Sequence, residues 1–272
     1  MTIEILVAPS LRISWMKTVA HLKKANYDRL FLNFPQNLEH LVTELSEGRL
    51  AYEDFIDKVR EEKLVPEPVG SWMYTAEPML RSLKKLKPWK ATSKIYCYKD
   101  VGYDQLSAKI AGDVAALTLQ TSLTEKVNVE KWKGAVVEGM ERKKEALRAE
   151  ADFIHERASY CSVCTSGFDG KSLKRRLLEK GEEVSLTNVE EFYHPTPLET
   201  LEEKLMEGDL PDEEVKKLVK DHIEYVRNYI LRSKNRDQAY YQWVYDKVPS
   251  LRQNFAPEEI KFLDILLHSN DV

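Results

Sequence analysis

The stretch from Tyr160 to Asn188 constrains the fold of this chain more than any other, because it has the pattern of strand, glycine turn, helix and strand. Residues 159–165 are short, β-prone and followed by Gly167, while leucines at helical spacing predict a helix that ends near Gly181. A crossover of this length makes its two strands parallel. It also places the glycine turn at the carboxyl end of the first strand, where open α/β sheets bind ligands.

Strands and helices also alternate upstream of this unit. Apolar or β-prone runs predict strands that begin at Ile3, Arg29 and Lys94, and helical periodicity fills most of the sequence between them. Together with strands at Tyr160 and Val184, this alternation predicts an α/β fold with an open, mainly parallel sheet of about five strands flanked by helices.

Several segments between the strands have their own signatures. Periodic apolar residues predict helices over 37–45, 51–61, 77–86, 104–119 and 129–157. The proline-rich segment 64–78 is predicted as a loop, either a candidate lid or an ordinary packed crossover. Acids and bases alternate on one face of the 129–157 helix, which favours a solvated surface over a binding surface.

After Asn188 the sequence no longer predicts strands, and helical patterns dominate. The break at His194-Pro195-Thr196-Pro197 precedes four predicted helices, over 198–206, 212–232, 236–248 and 257–268. We therefore predict a sheet domain over 1–194 and an all-helical carboxy-terminal subdomain over 195–272. The third of these helices carries Tyr240, Tyr241, Trp243 and Tyr245, which either pack the core or form a homo-oligomer contact.

Composition narrows the range of partners. The chain has 41 basic and 45 acidic residues, so its net charge of −4 predicts neither a nucleic-acid nor a membrane partner. Three cysteines are too few for a disulfide scaffold, and no apolar run approaches the ~18 residues of a membrane span. We expect a soluble cytoplasmic protein with no cofactor.

The glycine turn after the fourth strand is the main candidate for binding. Thr165, Ser166, Gly170, Lys171 and Ser172 fit a phosphate-binding loop in part, but Thr165 occupies the place of its first glycine. The start of the following helix, together with a lysine, would still favour an anionic small molecule. Nucleotide hydrolysis, simple anion binding and a purely structural turn remain the alternatives.

Polar residues near other predicted strand ends extend this site. Ser10 and Arg12 follow the first strand, Asn33 ends the second and Asp100 ends the third. We predict Ser10, Arg12 and Asn33 as ligand contacts. Asp100, Asp169 of the glycine turn and His194 of the loop after the last strand are the catalytic candidates, because carboxylates and histidines act as general acids and bases.

Cys161 and Cys164 have the spacing of half a metal site. Residues three apart on a strand point to opposite faces, so these two sulfurs are not expected to bind one ion. We predict no metal and interpret the cysteines as small apolar side chains.

The order of elements, the run from Arg148 through the glycine turn to Val184, and the segment 28–35 resemble the TraB/ChaN/erythromycin-esterase-like group. That group places a histidine after the first strand, an acid after the second and often a histidine in the last glycine turn. This chain has Ser10 and Arg12, Asn33 and Gln36, and Phe168 and Asp169 near those positions. The resemblance therefore implies the fold and a degenerate pocket, without the metal-dependent activity.

Two classes of function follow. The first is a non-catalytic protein that binds a ligand or partner, or takes part in an assembly, through the strand-end pocket and the aromatic helices. The second is an enzyme, a hydrolase or transferase, that acts on an anionic or phosphorylated small molecule at the turn from Gly167 to Ser172. Because no recognisable catalytic set is present, the sequence favours the first class.

Overall fold

The protein contains a five-stranded sheet in which all neighbouring strands are parallel. The computed structural model describes residues 1–86 and 93–255. The strands are β1 (Thr2–Val7), β2 (Arg29–Pro35), β3 (Lys94–Lys99), β4 (Cys161–Ser166) and β5 (Glu183–Asn188). The prediction of an α/β fold with a mainly parallel sheet of about five strands is confirmed.

The strands lie side by side in the order β3-β2-β4-β1-β5. β1 therefore separates β4 from β5, although these two strands are consecutive in the sequence and belong to one crossover unit. Because every neighbouring pair is parallel, all five strands end at the same edge of the sheet. We call this the carboxyl edge.

Helices connect the strands and follow the last one. They are α1 (Arg12–Leu22), α2 (Glu39–Ser46), α3 (Tyr52–Glu61), α4 (Val69–Leu86), α5 (Val101–Thr124), α6 (Val129–Val137), α7 (Met140–Arg157), α8 (Gly170–Glu179), α9 (Pro197–Glu207), α10 (Asp212–Asn228) and α11 (Arg236–Lys247). Short 3-10 turns cover Gln36–Leu38, Ile230–Arg232 and Arg252–Asn254. The carboxy-terminal region is helical as predicted over the described residues, and the helix predicted at 257–268 lies outside them.

Two predictions about the intervening segments are wrong. Helix α4 begins at Val69, inside the segment predicted as a loop or lid, and contains Pro78. Its inner face buries Ala76 and Leu80, so tertiary packing outweighs the helix-breaking tendency of proline. The single long helix predicted over 129–157 is instead the two helices α6 and α7.

Side chains of the sheet alternate between two cores on opposite faces. Leu30 and Leu32 belong to the core that includes residues of α1 to α4, whereas Phe31 between them belongs to the core that includes residues of α7 and α8. In the first core, Trp15 stacks on Phe34 with ring centroids 5.7 Å apart. Both faces of the sheet are covered, as parallel sheets require.

The chain divides into two compact units. The sheet unit contains Met1–Ala108 and Glu141–Glu191, and the helical unit contains Lys109–Met140 and the residues from Phe192 onward. The predicted division after residue 194 lies near one of these boundaries. The segment 109–140, which that prediction includes in the sheet domain, groups instead with the carboxy-terminal helices, because its apolar residues pack with theirs.

The helical unit has an interior rich in aromatic rings. Tyr240, Tyr241 and Trp243 of α11 are only 2%, 7% and 7% exposed. An oligomer therefore stays a prediction, and its contact would have to use other side chains. Among residues 1–86 and 93–255, no helix combines the length and the apolar content of a membrane span.

Candidate functional site

The carboxyl edge brings the end of β2 next to the glycine turn after β4. The backbone N–H of Asn33 donates to Oγ1 of Thr165 at 2.9 Å. A Cβ atom added to Gly167 would lie 3.9 Å from Nδ2 of Asn33. Asn33, Thr165 and the glycine turn are therefore neighbours in space.

Thr165 and Ser166 connect the central strand to other strands of the sheet. Thr165 is fully buried, and its carbonyl accepts a 2.8 Å hydrogen bond from the hydroxyl of Tyr98. The carbonyl of Ser166 accepts a 2.8 Å hydrogen bond from the N–H of Ala8. These bonds give both residues a structural role, and their role as ligand contacts stays a prediction.

Asn33 has a side-chain acceptor that the fold does not use. The pairing of β2 with β3 changes register between Leu32 and Pro35, and Asn33 lies in this irregular stretch. Its Oδ1 is buried and has no hydrogen-bond partner in the described part of the chain. Leaving a buried acceptor unsatisfied costs about 1–3 kcal/mol, and irregular strand ends are common beside binding sites.

Gly170 is required by close packing. A Cβ atom at this position would lie 2.5 Å from Cγ2 of Val7, which is closer than real Cβ contacts come. The first turn of α8 therefore lies directly against β1. This contact explains the glycine without a phosphate, although it does not prevent an anion from binding nearby.

Three predicted ligand contacts lie at or near the surface of this edge. Lys171 and Ser10 are exposed, and Ser172 is half-buried. Lys171 and Ser172 belong to the first turn of α8, where backbone N–H groups and the helix dipole favour negative charge. Asp169 precedes these residues and already supplies a carboxylate there.

Asp100 and Asp169, two of the predicted catalytic residues, are paired with basic side chains of α7. Nη2 of Arg142 donates to Oδ1 of Asp100 at 2.6 Å, and Nζ of Lys143 lies 2.7 Å from Oδ1 of Asp169. Oδ1 of Asp100 also accepts a 2.7 Å hydrogen bond from the N–H of Tyr103. These interactions would have to loosen before either carboxylate could accept a proton from a substrate.

A more deeply buried pair joins Lys99 and Glu150. Nζ of Lys99 lies 3.2 Å from Oε1 of Glu150, and the two side chains are 15% and 1% exposed. Burial raises the pKa of Glu150, although the charge of Lys99 acts in the opposite direction. Burial alone would lower the pKa of Lys99, but the charges of Glu150 and Asp169 outweigh it and raise that pKa. Lys99 therefore carries an ammonium group at neutral pH.

Arg12, a predicted ligand contact, connects α1 to α4. Its guanidinium donates to the carboxylate of Glu77 and to the carbonyl of Tyr74, the latter at 3.3 Å. Pro78 has no N–H to offer the Tyr74 carbonyl four residues earlier, so the arginine supplies a donor in its place. Burial alone would raise the pKa of Glu77, but hydrogen bonds from Arg81 and Arg12 lower it.

His194, the third catalytic candidate, belongs to the helical unit. Its backbone N–H donates to the hydroxyl of Tyr240 at 2.8 Å, and that hydroxyl donates to its carbonyl at 3.1 Å. Its ring lies 5.7 Å from that of Trp243, and burial lowers its pKa. These contacts hold His194 inside its own unit, and its catalytic role stays a prediction.

The two close cysteines face opposite sides of the sheet, as predicted. Cys161 packs against the core shared with α1 to α4, and Cys164 is buried in the core shared with α7 and α8. Burial raises the pKa of Cys164 to about 12, which makes the reactive thiolate scarce at neutral pH. Among the described residues, no three or more His, Cys, Asp or Glu side chains are grouped so that they could hold a metal ion.

A polar groove of about 530 Å³ lies just beyond the end of β2. Its wall includes Gln36, Asn37, His40 and Arg49. Like Asn33, Asn37 has a buried side-chain oxygen without a partner in the described part of the chain. The groove is a second place where a polar molecule could meet an unused acceptor.

Sequence reasoning missed the basic partners and the buried acid of the carboxyl edge. Charge alternation predicts a solvated helix face for Arg142 and Lys143, but they bind the two aspartates. A signal for Glu150 was present, since it falls three residues after Leu147 and four before Ile154, on the buried side of α7. Lys99 could have been noted as a charged residue that ends a strand.

No protein-family model matches the sequence, and comparison with curated proteins and with solved structures found no similar chain. The resemblance to the TraB/ChaN/erythromycin-esterase-like group therefore stays a prediction.

Proposed function

We propose that this is a non-catalytic binding protein that holds a small polar molecule at the carboxyl edge, between Asn33 and the turn at Gly167. The observation that carries the proposal is the buried, unsatisfied Oδ1 of Asn33. A ligand with an N–H or O–H group would supply the missing hydrogen bond. Gly167 has no side chain to obstruct the approach to that amide.

The charges around this position support binding rather than catalysis. Asp100 and Asp169 each have a basic partner, and Lys99 has Glu150. The charge of each of these three side chains is therefore balanced by an opposite charge within the fold. This arrangement can position a ligand through fixed dipoles, but it offers no uncommitted general base.

The alternative is an enzyme that acts on an anionic or phosphorylated small molecule at the turn from Gly167 to Ser172. The exposed Lys171 in the first turn of α8 favours this second function, because its ammonium and the helix dipole both attract anions. The carboxylate of Asp169 at the same turn opposes it. In the binding protein the ligand depends on Asn33, whereas in the enzyme it depends on Lys171.

A thermal-shift screen tests the proposal. The probes are nucleotides, sugar phosphates, amino acids, polyamines and divalent metals, each added to the full chain. We expect at least one polar molecule to raise the unfolding temperature, because a ligand that binds only the folded state stabilises it. Asn33→Ala should abolish this shift, whereas Asn188→Ala should preserve it, since Asn188 is an exposed asparagine at the end of β5.

Two further variants distinguish binding at Asn33 from binding in the groove and from binding at Lys171. A shift that survives Asn33→Ala and disappears in Asn37→Ala would place the ligand in the groove beyond β2. Stabilisation by phosphorylated compounds that disappears only in Lys171→Ala would support the enzyme. Either outcome contradicts binding at Asn33.

A further inference from the structure

The helical unit has a polar groove of about 480 Å³, formed by the chain around the end of α10 and by helix α11. One wall consists of Gln238, Gln242 and Asp246, which form a row at intervals of four along α11. The facing wall includes Tyr229 and Arg232. Sites for small molecules commonly have volumes of ~300–1,000 Å³, so the groove has the size of such a site.

Each of the two glutamine amides in this row is fixed by one hydrogen bond. Oε1 of Gln238 accepts from the N–H of Lys234 at 3.0 Å, which leaves its Nε2 as a donor with no partner among the described residues. Nε2 of Gln242 donates to Oδ1 of Asp246 at 3.2 Å, which leaves its Oε1 as an acceptor. The wall therefore presents a donor and then an acceptor. Hydroxyl groups both donate and accept, so the neighbouring hydroxyls of a sugar match this wall.

Arg232 adds an uncommitted positive charge to the groove. Its side chain is exposed and has no ion-pair or hydrogen-bond partner in the described part of the chain. Burial and the nearby charge of Asp246 raise the pKa of Tyr229 to about 12, so Tyr229 lies at the Asp246 end of the groove. Lys234 contacts Gln238 at the other end, and Arg232 lies two residues before it. Gln238 and Asp246 are about 12 Å apart along α11, so an anion near Gln238 would avoid the carboxylate.

We propose that this groove binds a sugar that carries an anionic group, such as a sugar phosphate. Arg232 and Nε2 of Gln238 bind the anion, because a guanidinium forms strong charged hydrogen bonds with phosphate or carboxylate oxygens. Oε1 of Gln242 and the carboxylate of Asp246 accept hydrogen bonds from the sugar hydroxyls. A neutral sugar would leave Arg232 unpaired, and inorganic phosphate would leave Gln242 unused. The site lies entirely in the helical unit, so it does not depend on the proposed ligand site at Asn33.

Isothermal titration calorimetry of the full chain tests this proposal. The probes are glucose 6-phosphate, ribose 5-phosphate and glucuronate, compared with glucose and inorganic phosphate. We expect at least one of the three acidic sugars to bind about 10-fold or more tightly than glucose and than inorganic phosphate, because each of these lacks one of the two recognised groups. Asn33→Ala should bind that acidic sugar as the wild type does, since Asn33 belongs to the sheet unit.

Variants of the groove locate the bound molecule. Arg232→Met should weaken binding of the acidic sugar by about 10-fold or more, and Gln242→Met should weaken it by about 3- to 10-fold, as expected for a charged and a neutral hydrogen bond. Arg227→Met is the matched control, because Arg227 is an exposed arginine of α10 outside the groove, and it should keep the wild-type affinity.

Three results would overturn the proposal. The first is that none of the three acidic sugars binds at millimolar concentration, or that none binds more tightly than inorganic phosphate. The second is an equal loss of affinity in Arg232→Met and Arg227→Met, which would indicate attraction by charge alone. The third is a loss of binding in Asn33→Ala, which would place the acidic sugar at the carboxyl edge and support the proposed function instead.

Discussion

The sheet unit and the core around Trp132 in the helical unit contain different kinds of buried polar side chain. In the sheet unit, buried charges meet opposite charges, as in Lys99 with Glu150 and Arg12 with Glu77. In the core around Trp132, the buried polar side chains include neutral rings and hydroxyls, although the carboxylate of Asp237 is also fully buried elsewhere in the helical unit. His222, for example, has its Nε2 3.2 Å from the hydroxyl of Thr118 and its ring beside that of Trp132, while its Nδ1 is buried without a partner in the described part of the chain.

The difference follows from architecture. A parallel sheet collects the polar residues of all its strand ends at one edge, and the covering helices must supply their counterions. A helical bundle has no such edge, so most of its interior can be filled by apolar and aromatic side chains. We therefore expect the sheet unit to respond most strongly to the loss of one charge and the core around Trp132 to the gain of one.

Loss of charge in the sheet unit should have the largest effect. Glu150→Gln leaves the ammonium of Lys99 buried without its counterion, which should lower the free energy of unfolding by about 3–4 kcal/mol. Urea denaturation measures this change. The double variant Lys99→Met/Glu150→Leu should recover most of the lost free energy of unfolding, because it removes both charges. Lys144→Met, which breaks an exposed pair with Glu141, should lower the free energy of unfolding by only about 0.5 kcal/mol or less. If Lys144→Met and Glu150→Gln lowered it equally, buried and exposed charges would not differ as we predict.

Gain of charge in the helical unit should have the next largest effect. Burial lowers the pKa of His222 to about 4, below its ordinary value of 6.5. Between these two values the unfolded chain binds a proton that the folded chain does not, so stability falls as pH falls from about 6.5 to about 4. The free energy of unfolding should fall by about 2–3 kcal/mol over this pH range. The unfolding transition of the helical unit in urea measures this change.

The variant His222→Gln should remove that part of the pH dependence. His40→Gln is the matched control, because His40 is a histidine of the sheet unit whose side chain is 57% exposed. A profile that is identical in wild type and His222→Gln would show that the buried ring does not stay neutral over this pH range.

The smallest of the three effects concerns packing and uses two glycines. Gly170→Ala forces a Cβ against Val7 and should destabilise the sheet unit by about 1–3 kcal/mol, measured from its thermal or urea transition. Gly134→Ala lies in α6 with nothing within 4 Å of its added Cβ, so it should leave stability unchanged or raise it by up to about 1 kcal/mol. Equal effects at both positions would contradict the close contact of α8 with β1.

Local patterns in the sequence were sufficient to predict the strands. Apolar runs at Ile3 and Arg29 and the glycine turn after Cys164 each predict an element from neighbouring residues alone. The order of the strands could not be predicted, because β1 enters between β4 and β5 through contacts far apart in the sequence. The first part of helix α4, before residue 77, was missed for a similar reason, since burial of its inner face overrides the local effect of Pro78.

The sequence was sufficient to predict where the candidate site lies, but not which basic side chains pair with its aspartates. Parallel strands place Asn33, Asp100 and the glycine turn at one edge, and this follows from strand direction alone. The pairing of Asp100 with Arg142 and of Asp169 with Lys143 depends on how α7 lies against the sheet. Helical periodicity shows which side of α7 is polar, but it does not show which polar side chains reach a strand end.

Nuclear magnetic resonance of protein labelled with 15N-asparagine tests the central claim most directly, because it observes the side-chain amide of Asn33 itself. The signal is assigned by its absence in Asn33→Ala. On titration with the molecule that stabilises the protein, we predict that the Asn33 signal moves in proportion to binding while that of Asn188 stays in place. An Asn33 signal that does not move while the protein is saturated with this molecule would contradict a ligand site at the end of β2.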